Sequence, residues 1–64
     1  MTKLEVIQLA EWNLSRAQVE EQIGNNQVQA GNRQMGELRL FRAECHRRTA
    51  DGLMTLADQF MLDD

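Results

Sequence analysis

Apolar and small residues recur along this chain at alternating spacings of three and four, the signature of helices that pack lengthwise. In the first half one such series reads Ile7, Ala10, Leu14, Ala17, Glu21, Gly24, Val28 and Gly31. Every second member is small (Ala10, Ala17, Gly24, Gly31), so a partner helix can approach closely, and Glu21 is the polar intruder. A second series runs beside it through Leu9, Trp12, Arg16, Val19, Ile23, Asn26 and Ala30. The second half repeats the design. One series is Leu38, Arg42, Cys45, Thr49, Gly52 and Leu56, flanked by Phe41, Leu53 and Phe60; the other is Leu40, Ala43, Arg47, Ala50, Met54, Ala57 and Met61. The predicted fold is all-α: an antiparallel helical hairpin with arms over about 3–30 and 33–62.

Proline is absent, so only glycine and asparagine punctuate the chain. Thr2 is the expected N-cap of the first helix, with Glu5 three residues on completing a capping box. Two stops compete for its end. Gly24 could terminate it with Asn25 or Asn26 capping the next helix, or Gly31 could do so with Asn32 as the cap. The second placement is preferred because its arms, each about 42–45 Å long, cover each other along their whole length. It leaves Gly24 inside a helix, which costs about 1 kcal/mol. The second helix is expected to continue through Asp51-Gly52, the alternative being a short separate helix capped by Thr49 or Asp51.

Two apolar series per helix are one more than a lone hairpin can bury. The surplus predicts self-association into a homodimeric four-helix arrangement, or docking on a larger protein. Size points the same way. A chain of 64 residues, 42% hydrophobic and 5% aromatic, makes a single small domain over 1–64 with a thin core. So little aromatic content disfavours a β-sandwich, and so short a chain leaves little interior for an enzyme pocket. The net charge of −3 disfavours non-specific nucleic-acid binding over the whole surface. The single cysteine, Cys45, allows no intrachain disulfide, and no apolar run has the length of a signal peptide or a membrane span, so a cytoplasmic protein without membrane contact is expected.

Candidate chemistry is sparse. Cys45-His46 is the one pair that suggests metal or nucleophile chemistry, but zinc needs three or four ligands and adjacent helical residues point about 100° apart. The carboxylate pairs Glu20-Glu21 and Asp63-Asp64 read as a solvated helix face and an acidic tail. No catalytic residue, cofactor or metal is therefore expected. More informative is the basic group Arg39, Arg42, His46, Arg47 and Arg48, with Arg33 nearby. It could pair with first-helix acids (Glu5, Glu11, Glu20) and locally with Glu44, meet an acidic protein surface, or touch phosphates. Only Phe41 interleaves with these cations, so base stacking has little support. Leu9, Trp12, Val19 and Ile23, with Met54 and Met61, form the expected partner or dimer interface, and Trp12 is its natural anchor.

The chain length, the Met1-Thr2-Lys3 opening, the single cysteine and the central turn together resemble the Rop-type plasmid copy-number hairpins. That resemblance implies a dimeric four-helix bundle binding paired RNA loops. Lys3 and Gln18 fit that family's polar RNA face, whereas Ala10, Leu14 and Asn25 depart from it. The same dimensions are similar to those of small phage-encoded proteins that dock on a bacterial regulator or motor. The leading expectation is a non-enzymatic interaction module: a small bacterial or phage regulator that binds a larger host protein, for example a transcription regulator, and inhibits it by steric competition. A Rop-like RNA-binding modulator and a chaperone or subunit of a larger bacterial assembly are the alternatives.

Overall fold

The computed structural model describes residues 1–60. Within them the chain forms two helices, α1 over Lys3–Gln29 and α2 over Arg33–Asp58, with no strand. The two pack against each other as a hairpin of Cα extents 50 × 13 × 12 Å. Its radius of gyration is 14.7 Å, where a compact domain of this length has about 11 Å.

α1 starts as its sequence dictates. The Thr2 hydroxyl accepts from the Glu5 backbone N–H at 3.2 Å, and the Thr2 backbone N–H donates to Glu5 Oε1 at 2.8 Å. That donation from the Thr2 backbone, helped by the Thr2 side chain, holds the Glu5 carboxyl below its ordinary range. The turn falls at 30–32 and not at Gly24. Gly31 adopts φ +90°, a left-handed conformation that glycine takes without a Cβ penalty, and Asn32 N–H returns to Gln27 O at 2.8 Å. The expected Asn32 cap is not made by its side chain; the chain turns on backbone hydrogen bonds alone. α2 runs unbroken through Gly52 and ends at Asp58, short of the expected position 62, which lies outside the described residues.

The seam between the helices is built from smallness. Ala10, Ala17 and Gly24 of α1 and Gly36, Ala43, Ala50 and Ala57 of α2 are all buried, each series stepping by seven. At the turn end the backbones touch: a Cβ on Gly24 would lie 2.9 Å from Gly36 O, and one on Gly36 would lie 2.7 Å from Gly24 O. Steps of seven from that crossing bring Ala17 level with Ala43, and Ala10 level with Ala50. Val6 is the only large hydrophobic side chain in the described core.

The intervening seam positions differ from the expected ones by one residue. Val6, Asn13 and Glu20 are buried where Ile7, Leu14 and Glu21 were expected, and Leu14 and Val28 are exposed. The small residues explain the shift. They bring the backbones so close that the space beside them is reached by polar side chains able to bridge the helices, whereas branched leucine is turned outward.

Candidate interaction surface

Two contacts define the sides of the hairpin. The rings of Trp12 and His46 meet edge to face, their centroids 6.0 Å apart at 80°. Arg47 Nη2 lies 2.9 Å from Glu21 Oε2. His46 and Arg47 are consecutive, about 100° apart around α2, so these contacts leave on opposite flanks of the seam.

Helical periodicity assigns the remaining residues. On the Trp12 flank α1 carries Leu9, Trp12, Arg16, Val19 and Ile23. On that same flank α2 carries Met35, Leu38, Arg42, Cys45, Thr49, Gly52 and Leu56. The two series recognised separately in the sequence thus lie side by side as one apolar face, two helices wide. Leu9, Val19, Met35, Leu38 and Leu56 are exposed, Ile23 is half-buried, and Trp12 keeps 56% of its surface. A shallow depression of about 560 Å³, lined by Met1, Glu5, Gln8, Leu9 and Trp12, extends this face around α1. The opposite flank mixes Ile7, Leu14, Leu40 and Met54 with the Glu21–Arg47 pair and a row of acids, Glu37, Glu44, Asp51 and Asp58. Met54 is therefore separated from Leu9, Trp12, Val19 and Ile23, with which the sequence grouped it. Met61 lies outside the described residues.

The basic group is not one patch. Arg39 Nη1 reaches across the seam to Glu20 Oε1 at 2.9 Å, and Arg16 Nη2 reaches the same oxygen at 3.2 Å. Glu20 is 2% exposed, and its second oxygen has no hydrogen-bond partner. Arg47 pairs with Glu21, Arg48 with Glu44 at 3.5 Å, and Arg33 with Glu37 at 2.9 Å. Among the described residues Arg42 alone of these arginines makes no ion pair. Most of the positive charge is thus neutralised within the hairpin. Glu20 and Glu44 take the partners the sequence offered them, while Glu21 stands where Glu5 and Glu11 were expected.

His46 has a structural partner. Its Nδ1 lies 2.9 Å from Asn13 Oδ1, while Asn13 Nδ2 donates to Leu9 O at 2.9 Å. A backbone carbonyl only accepts, so the Asn13 amide orientation is set and His46 Nδ1 must carry the hydrogen. Cys45, next to it, is exposed. Among the described residues no three His, Cys, Asp or Glu side chains gather as a metal site.

Sequence reasoning missed Asn13 and Gly36, and it missed the burial of Glu20, though it offered Glu20 as an arginine partner. Gly36 did leave a signal, since it stands seven residues before Ala43 in the Ala43, Ala50, Ala57 repeat. The burial of Asn13 and Glu20 left none, because polar residues at seam positions look like surface until the interhelical distance is known. No protein-family model, curated protein or solved structure matches this chain.

Proposed function

We propose that this chain is a non-enzymatic protein–protein interaction module. It acts as a small regulator, of bacterial or phage type, that occupies a surface of a larger protein and blocks it by steric competition. The observation that carries this reading is the apolar face around Trp12. A chain of 7.4 kDa folded compactly exposes about 4,200 Å². This hairpin exposes 4808 Å², and most of its large apolar side chains, Leu9, Trp12, Val19 and Leu38 among them, are exposed. Such a surface is stable in water chiefly when something covers it. Trp12, next to Leu9 in the α1 half, is the anchor: large aromatic side chains are enriched among the residues that dominate binding energy. RNA binding is less favoured, because four of the five arginines between 33 and 48 are already paired with carboxylates. Among the described residues no helix is long and apolar enough to cross a membrane.

The test is capture from bacterial lysate on the tagged chain, with and without nuclease, beside Trp12→Ala. A stoichiometric protein that survives nuclease and is lost from Trp12→Ala, with helicity unchanged, supports the reading. Nuclease-sensitive RNA retained by Trp12→Ala but lost on Arg42→Ala overturns it.

A further inference from the structure

Gly52 has no role inside the hairpin. It sits within α2, where glycine costs about 1 kcal/mol relative to alanine. A Cβ built on it meets nothing within 4 Å, and its φ does not call for glycine. With Cys45 and Thr49 it makes a low stretch of the apolar face, bordered by Leu38 and Leu56. In α1, the residue level with position 48 of α2 is Trp12, by the same antiparallel register that sets Gly24 against Gly36. One hairpin therefore carries a bulky knob on one helix and a matching hollow at the same height on the other.

We infer that the occupant of this face is a second copy of the chain, related by a twofold axis running along the hairpin. The inference rests on the reading of this face as a contact surface: the second copy covers it in the free protein and is displaced when a larger protein takes the face. Such an axis lays α1 of each copy over α2 of the other without changing height, and both turns lie at the same end. Trp12 of each copy then fills the hollow over the second copy's Cys45, Thr49 and Gly52. By the same register Leu9 lies level with position 51, between Thr49 and Leu56, Ile23 meets Leu38, and Arg16 comes level with position 44, beside Arg42. Both halves of the match are used twice, as an isologous interface requires.

The area suffices. Met35 to Leu56 spans about 32 Å of helix, and two packed helices are about 20 Å wide, so each copy contributes roughly 600 Å². The total reaches the lower end of the 1,200–2,000 Å² range typical of stable specific complexes, given as a rough range. An axis across the helices would instead stack α1 on α1 and set Trp12 beside Val19 of the other copy, leaving the hollow at Gly52 unfilled. It would also bring the two Cys45 side chains together. With the axis along the hairpin they stand on opposite edges of the interface, beyond disulfide reach.

Sedimentation equilibrium of the full chain tests this, with Gly52→Leu and Thr55→Leu as variants. Leucine at 52 has open space within its own hairpin and a better helix propensity than glycine. It fills the hollow, so the dimer dissociation constant should rise by about 100-fold or more. Thr55→Leu adds similar bulk away from this face and should leave the dimer intact. The wild type should form no rapid Cys45–Cys45 disulfide under mild oxidant, and its Trp12 emission should shift to the red on dilution. A Gly52→Leu dimer as tight as the wild type, or rapid Cys45 cross-linking, overturns the stacking. A wild type monomeric at about 100 μM overturns the second copy altogether. If that monomer still captures a protein through Trp12, the interaction reading survives; if it captures none, both fail.

Discussion

The seam and the Trp12 face of this hairpin solve opposite packing problems. In the seam, glycine and alanine at every seventh position bring the two backbones into contact, and cohesion comes from closeness over a long line. On the face, Leu9, Trp12, Val19 and Leu38 stand out from the helices and remain exposed. The same chain has spent its small residues inward and its bulky ones outward, the reverse of an ordinary small core. The lesson is that the hydrophobic content of a helix does not say where the hydrophobic work is done. Here the hairpin is closed by side chains that bury little area, and most of the apolar bulk is kept for association.

Substitutions can break this contrast, and the largest effect belongs to the turn end of the seam. A Cβ on Gly36 would press on Gly24 O and on Val28 N, both backbone atoms that cannot step aside. Gly36→Ala should therefore lose about 2 kcal/mol net, its gain in helix propensity notwithstanding. Urea unfolding at fixed protein concentration measures it. A gain in stability would mean that the backbones are not in contact there.

Next comes the polar bridge within the seam. Arg39→Met leaves the buried Glu20 with Arg16 alone and should cost about 2 kcal/mol, because a charge has lost its partner. The double variant Glu20→Leu/Arg39→Met should recover most of that loss, since an apolar pair of similar volume removes the buried charge and the unpartnered oxygen together. Additive losses in the double variant would show that the bridge contributes net stability rather than pairing specificity.

The smallest effect sits at the N-terminus of α1, next to the depression beside Trp12. Hydrogen bonding lowers the Glu5 pKa in the folded chain, so the contribution of the capping box is complete above the ordinary carboxylate range. It fades as pH falls through the lowered folded value. Protection of the amides of residues 3–6, taken relative to the intrinsic exchange rate at each pH, should fall in that acidic window in the wild type, and Glu5→Gln should flatten the dependence.

Much of the architecture was legible in the residues. The capping box at Thr2 and Glu5, the turn at Gly31, the continuity of α2 through Gly52 and the small-residue repeat all follow from local chemistry: propensity, capping and a period near 3.5. These are properties of one helix at a time. Each apolar series was legible for the same reason, including Leu9–Ile23 on α1 and Leu38–Leu56 on α2.

What the chain alone could not decide was how one helix faces the other. Only the tertiary structure selected Asn13 and Glu20 as seam residues, because their burial depends on an interhelical distance set jointly by glycines on both helices. Only it divided the arginines among partners on two flanks and parted Met54 from Trp12. It also laid two separately readable stripes side by side as one face, since sidedness is a relation between helices and no single helix encodes it.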